Sequence, residues 1–484
     1  MVKKQDVLEN VLAEFEQLAR IPRKSGHEEK VSNYLRDYLR SLGFQVVQDE
    51  KFNIIADKPA SAGAENAPLT ILQGHMDMVC VAVPGVQFDP LKDAIRLKRT
   101  EKYLSAEGTS LGADDGIGVA EALYIMKNQE QHGPLRMIVT VDEEQGMTGA
   151  IHLGAKYLAD ASFLINCDSE NYDELTVGSA GSVNLDFSRT MVQQAPSAAK
   201  AWKISVKGLL GGHSGERIGD GRGNAIRTAA MMLLAMDEQG ISYELAAFQG
   251  GTARNAIPAE AEVVFTTNTS RQELQSVVAA QQEHFQQIYG GIEPEARLLL
   301  EEAELPGQVF APADTKALLQ LIITLHSGVY AMSQVIPGLV ETSANIGVIR
   351  TQGSRVNIQF FPRSAIDAKI DEFCRMAQAY AAMSGFTAQI GTKSPGWKER
   401  KDSQLARIMA DTFADQNGRP MKVETIHAGL ECGWHFRKNP NLDMVSIGVT
   451  TMDIHSPNEK LLLETVEPQV ALIMETLRKI AAMK

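Results

Sequence analysis

The sequence has 484 residues, 44% of them hydrophobic and 22% charged. That balance excludes a disordered or collagen-like chain and allows a sizeable core spread over two or three domains. Lys and Arg number 47 against 60 Asp and Glu, a formal net charge of −13, which repels phosphate backbones and argues against nucleic acid as a partner.

Four cysteines, Cys80, Cys167, Cys374 and Cys432, lie far apart with no Cys-x-x-Cys pair. They predict reduced thiols in a cytoplasmic protein. No apolar run approaches the ~18 residues of a membrane span. The segment from Met1 reads as an amphipathic helix rather than a signal peptide, with Val7, Leu8, Val11, Leu12, Phe15 and Leu18 at helical spacing. A second helix is predicted over 28–42, followed by short strands near 44–48 and 52–56.

Next come apolar runs that each end in acidic or histidine residues. Leu69–Gln73 leads to Gly-His75-Met-Asp77, Leu135–Val141 to Asp142-Glu143-Glu144, and Phe163–Asn166 to Cys167-Asp168; far downstream, Met444–Val449 runs on to Asp453-Ile-His455. Near-continuous apolar strands suit a sheet covered on both faces, and ligand sites in such sheets lie beyond the strands' carboxyl ends. Gly112-Ala-Asp114-Asp115-Gly-Ile-Gly opens a helix between two of these strands.

From about Val183 to Gly391 the pattern changes to alternating strands (202–207, 260–267 and 355–361) and amphipathic helices (224–239, 271–289 and 365–384). This predicts an α+β domain inserted into an α/β domain built on a mixed sheet flanked by helices. The boundaries drawn are 1–185 and 394–484 for the α/β domain and 186–393 for the insert. A helix over 464–484 closes the chain.

His75 and Asp77 point to the same face of a strand end, where the carboxylate can orient an imidazole for metal. Asp114 and Asp115 sit where a helix N-terminus stabilises anions. Glu143 and Glu144 point in different directions, so one can bind metal while the other acts as a general base. Taken singly, each motif also fits a surface polar pair, a helix cap or a solvated turn. Taken together, two histidines and several carboxylates at strand ends of one domain form the ligand set of a hydrolytic zinc pair. A carboxylate bridging two cations about 3.5–4 Å apart is the expected geometry for activating water.

In this order, Gly-His75-Met-Asp77, Gly-Ala-Asp114-Asp115-Gly, Asp-Glu143-Glu144-x-Gly, Asn-Cys-Asp168-Ser-Glu and His455 resemble the co-catalytic zinc peptidases of the aminoacylase/carboxypeptidase/dipeptidase superfamily. The chain most resembles bacterial cytosolic aminoacyl-histidine dipeptidases (carnosinases) within it. The resemblance implies two zinc ions per subunit, with cobalt or manganese as substitutes. Asp114 would bridge them, His75 and Asp168 completing one and Glu144 and His455 the other. It implies that Asp77 orients His75, that Glu143 is the general base, and that the Asp114–Asp115 peptide is cis. The insert would be a lid and dimerisation domain. Its His213, in Gly-Gly-His-Ser-Gly, matches the histidine that stabilises the oxyanion. Asn255, Arg363, Gly429 and Glu431 match substrate-contacting positions, with Arg363 receiving a terminal carboxylate.

Two features stand apart. Many relatives carry Lys or Asn where Asp115 stands, and Asp168 in place of Glu favours a dipeptidase. The expected activity is metal-dependent hydrolysis of dipeptides, Xaa-His such as carnosine first, by a homodimer. The rivals are an N-acyl amino acid deacylase or tripeptidase of the same fold, and an inactive binding protein on a peptidase scaffold.

Overall fold

The parallel strands Leu135–Thr140, Thr70–His75, Phe163–Asn166 and Asp443–Ser446 lie side by side. All four are buried along their whole length, which explains why they read as unbroken apolar runs. This is a computed structural model describing residues 5–334 and 336–483; residues 1–4, where the amphipathic reading of the N-terminus begins, lie outside it. Antiparallel strands Ile54–Lys58 and Gln45–Gln48 extend the sheet on one side; antiparallel Glu174–Ser179, followed by Lys422–Ile426, extends it on the other. The sheet is therefore mixed, as expected, and eight-stranded.

The chain divides into two compact units. The first holds this sheet and comprises, among the described residues, 5–179, 397–425 and 430–483. Helices Gln5–Ala19, Ala113–Asn128, Gln404–Asn417 and Val466–Ala481 accompany the sheet. Val11, Phe15, Ile125, Ile473 and Leu477 are almost fully buried. Because four strands run parallel, their carboxyl ends emerge together. His75 pairs in register with Thr140, and Gln73 with Asn166, which in turn pairs with Ser446.

A second, four-stranded sheet contains Leu97–Arg99, Tyr103–Ala106, Thr451–Met452 and Lys460–Leu462. Its last two strands pair antiparallel, Thr451 with Leu461 and Met452 with Lys460. His455 sits in the loop between them, with Asp453 and His455 at positive φ of 53° and 58°. The final helix starts at Val466 rather than at 464, because Leu463–Thr465 forms a 3-10 turn first.

The second unit spans 180–396 together with the short segment 426–429. Its nine-stranded sheet is antiparallel in every pairing. Gly181–Thr190 alternates buried and half-buried positions, so one face packs while the other does not. Phe187, Trp202, Phe248, Phe265 and Phe360 from the strands join Leu233, Leu274, Leu318 and Phe373 from the helices in one core. The helices start as capping chemistry dictates. Asn224 accepts the backbone N–H groups of Ile226 and Arg227, and Ser270 and Glu273 form a reciprocal capping box. Helix Pro312–Thr324 opens with Pro at its first turn; the sequence reading did not single it out.

Candidate active site

In the first unit the carboxyl ends of the parallel strands gather the residues that the motifs brought to notice. His75 closes its strand with a side chain 1% exposed. Its Nδ1 lies 3.2 Å from Asp77 Oδ1; its Nε2 lies 3.2 Å from Asp114 Oδ1 and 3.5 Å from Asp168 Oδ1. His455 arrives from the hairpin loop, with Nε2 3.1 Å from Asp114 Oδ2 and 2.8 Å from Glu144 Oε2. Asp114 thus presents one oxygen to each histidine. His75 and Asp168 stand on one side of it, His455 and Glu144 on the other. The Asp114–Asp115 peptide bond is cis.

Asp77 has a second task that no motif announced. Its Oδ1 accepts the backbone N–H of Glu143 at 3.1 Å and its Oδ2 that of Glu144 at 3.3 Å. One carboxylate therefore aligns the imidazole and also holds the turn carrying both glutamates. Asp115 turns inward, accepting the His75 backbone N–H at 3.0 Å.

Three further residues, absent from the sequence reading, set the loops in place. The Glu459 carboxylate accepts N–H groups from Leu111 (2.8 Å), Gly112 (2.9 Å) and Ala113 (2.7 Å), with Asp114 at 3.4 Å. Arg23, buried, donates to the carbonyls of Met76, Asp77 and Gly112. Glu28 accepts the N–H of Asp142 at 3.1 Å, just ahead of the two glutamates. None of the three is near its target in sequence, and single residues without periodicity give no signal.

Glu431, expected on a substrate-lining loop, stands elsewhere. It opens helix Glu431–Lys438 in the first unit with no exposed surface. Its Oε2 accepts from Gln73 Nε2 at 2.6 Å and from Thr140 Oγ1 at 2.5 Å. Its carboxylate is close enough to those of Glu143 and Asp168 to favour their protonation.

The electrostatics follow from this crowding. Burial pushes the carboxyls of Glu143 and Asp168 upward, Asp168 to about 8, and Glu431 to about 7. Burial also opposes charge on Asp114 and His75. Hydrogen bonds from both histidines nevertheless hold Asp114 low, and the carboxylates Asp168, Asp114 and Asp77 hold His75 well above its usual value. His455 is raised to about 11 by hydrogen bonds to Asp114 and Glu144. The buried guanidinium of Arg23 hydrogen-bonds to carbonyls rather than to these carboxylates. Glu144 Oε1 is buried without a hydrogen-bond partner among the described residues. His75, Asp114 and Glu144 each offer an atom within 4.8 Å of the others. A mixed imidazole and carboxylate set of this kind suits a divalent cation of the zinc, manganese or cobalt type.

The remaining expected residues lie in the second unit. His213 pairs in register with Ala256 on facing strands, and Asn255 accepts the N–H of Ser214 through its carbonyl. His213 and exposed Asn255 are therefore neighbours. The Arg363 side chain is buried, stacked 4.7 Å from the Phe361 ring, and its Nε has no partner among the described residues. Burial lowers its guanidinium to about 10. His213 is held low by burial and then by the charge of Arg363. Gly429 is exposed on the segment 426–429. His132 and His326 bond to carbonyls of Gly133 and Val329, and the cysteines are unpaired, three of them buried. No helix among the described residues is long and apolar enough to cross a membrane.

Comparison with known proteins bears on this geometry. The model of the family described as "Peptidase family M20/M25/M40" matches residues 71–479. A curated relative from Escherichia coli (strain K12), the cytosol non-specific dipeptidase, is 34% identical over 471 residues, covering 97% of each chain. The crystal structure of an aminoacylhistidine dipeptidase from Vibrio alginolyticus superposes with a TM-score of 0.91 at 35% identity, covering 97% of this chain and 96% of that one. A metallo-carboxypeptidase of the M20 family from Sulfolobus solfataricus shares the fold at a TM-score of 0.55 and 12% identity, over the full length of both chains.

Proposed function

The chain belongs to peptidase family M20/M25/M40, and from that premise we propose that it is a cytoplasmic dipeptidase working with a pair of divalent cations, zinc first among them. Its substrates are dipeptides with a free C-terminal carboxylate, Xaa-His dipeptides such as carnosine included. The observation that carries this reading is Asp114, whose two oxygens face His75 and His455 with Asp168 and Glu144 on either side. In this assignment His75 and Asp168 would hold one cation, Glu144 and His455 the other, with Asp114 shared between them.

Such cations, when bound, would supply a water made acidic near neutral pH and a Lewis acid for the scissile carbonyl. Glu143 takes the proton of the attacking water and returns it to the leaving amine. Asp77 fixes the ring of His75 and, through two backbone N–H groups, the aim of Glu143. His213 donates a hydrogen bond to the oxyanion that develops on the carbonyl oxygen. Arg363 takes the substrate carboxylate and Asn255 and Gly429 line its approach. The second unit also serves as the surface through which two copies pair.

Side-by-side turnover of carnosine, Gly-His, Ala-Ala, Ala-Ala-Ala and N-acetyl amino acids tests the proposal. The expected result is hydrolysis of the dipeptides and none of the acetylated compounds; hydrolysis confined to acetylated compounds or to the tripeptide refutes it. Glu143→Gln is expected to lower kcat by about 10²–10⁴ while metal content, read by mass spectrometry, stays at the wild-type level.

A further inference from the structure

Arg363 lies on strand Arg355–Ser364, directly opposite Ser343 of strand Val340–Gln352. Directly opposed residues of an antiparallel pair share one face, with Cβ atoms about 4.5–5.5 Å apart. Ser343 Oγ in turn lies 2.7 Å from Nε2 of His427, a contact buried from solvent. His427 comes from the short segment 426–429, which belongs to this unit although the chain on either side of it does not.

Gly215 brings the next group in. A Cβ at that position would lie 2.6 Å from the His427 carbonyl oxygen and 3.0 Å from Cε1 of His213. Only a glycine lets the two histidine segments approach this closely. Arg363, Ser343, His427 and His213 thus border one another in a single unit.

The chemistry of this group is one-sided. Arg363 has no ion pair with a carboxylate among the described residues, and its Nε is a buried donor with nothing to donate to. A buried guanidinium without an anion costs stability, so its retention calls for an anionic ligand. Burial, and after it the charge of Arg363, holds His427 down to about 3. The imidazole is therefore neutral at physiological pH and adds no repulsion to the guanidinium. Ser343 occupies Nε2, and Nδ1 makes no hydrogen bond among the described residues.

We propose that His427, steadied by Ser343, is a second binding residue for the C-terminal carboxylate that Arg363 receives, and that it sets the preference for a free over a blocked C-terminus. The inference rests on the dipeptidase reading for the identity of the ligand. The carboxylate bridges the guanidinium and the imidazole, and Ser343 keeps the ring from turning away. A binding pair built this way discriminates by leaving buried polar groups unpaired when the carboxylate is replaced by an uncharged amide.

The test compares Gly-His with its C-terminal amide on the metal-loaded full-length protein. Turnover is measured on the wild-type background. Equilibrium binding is measured by calorimetry on the Glu143→Gln background, where the ligand persists. His427→Ala is expected to weaken binding of the free acid about tenfold or more, with amide binding changed less than twofold. In turnover it is expected to raise KM for the acid while kcat stays within about threefold. His427→Gln, which keeps a donor, is expected to recover part of the loss, and Ser343→Ala to reproduce it in weaker form.

An unchanged ratio of acid to amide affinity in His427→Ala overturns the proposal, as does a fall in kcat alone. If His427→Ala does not fold, judged by its melting curve, His427→Gln and Ser343→Ala decide by the same ratio. Wild type that turns over no dipeptide while the Glu143→Gln protein still binds the acid in a His427-dependent way upholds the carboxylate contact and refutes the dipeptidase reading instead.

Discussion

His435 illustrates what a single buried group does to this protein. It has no exposed surface, and neither ring nitrogen has a hydrogen-bond partner among the described residues. Burial, and next the charge of Lys438, lowers it to about 3 from its ordinary 6.5. Above pH 6.5 the ring is neutral folded or unfolded and contributes nothing to pH dependence. Between about 6.5 and 3 the unfolded chain binds a proton that the folded chain refuses, so stability falls as pH falls, by at most about 1.4 kcal/mol per pH unit from this group. His435→Leu is therefore expected to flatten the acid limb of a urea-unfolding series taken from pH 7 to pH 4; an identical slope in both proteins would show that the ring is not refused its proton. Glu121 is the opposite case. It is wholly buried with both oxygens unpartnered among the described residues, and burial raises its carboxyl well above 4.5. Its neutral form is tolerated, and stability is lost as pH rises above 4.5, where the unfolded chain ionises first. Glu121→Gln is expected to raise the melting temperature at pH 8 more than at pH 5.

At the scale of elements, the parallel strands were legible because full burial writes itself as an unbroken apolar run, and polar residues at the ends of such runs stand out. His75, Glu143, Glu144 and Asp168 were found that way. The ties between elements were not legible. Glu459 belongs to the loop that carries His455, yet its carboxylate closes on the N–H groups of Leu111, Gly112 and Ala113, ahead of Asp114. One acidic residue in a polar loop looks like any solvated side chain until the fold supplies the donors. Glu459→Ala leaves these buried N–H groups unpaired, with an expected loss of about 2–4 kcal/mol in unfolding free energy. Because the tie spans the two loops bearing Asp114 and His455, metal affinity in a competition titration is expected to drop with it. Normal metal affinity in a destabilised variant would show that the tie serves the fold alone. His427 gives no signal in the sequence for a similar reason: Ile-His-Ala-Gly-Leu-Glu has no period, and the partner of the histidine, Ser343, lies 84 positions away.

For the whole molecule, the α/β and α+β patterns were readable from the switch between continuous and alternating hydrophobicity, since each reports how many faces of a sheet are covered. The return of 426–429 to the second unit was not, because four residues hold no period. A chain that gathers several buried carboxylates at one site gains stability from cations that bind only the native state. At a free concentration about a hundredfold above Kd, a single site adds about 2.7 kcal/mol. Exhaustive chelation is expected to lower the melting temperature by several degrees, with zinc restoring both it and dipeptide hydrolysis. A melting curve indifferent to chelator and zinc would refute the cation assignment.

The position of His455 has a consequence for how the protein is made. On a ribosome, His75, Asp114, Glu144 and Asp168 emerge before the antiparallel unit, and that unit before the hairpin that delivers the last ligand. Under the assignment above, the nascent polypeptide has an incomplete cage until that hairpin has been made. A product stalled ahead of it is then hydrolytically inert, so the cell's peptide pool meets this activity only from chains that carry the hairpin.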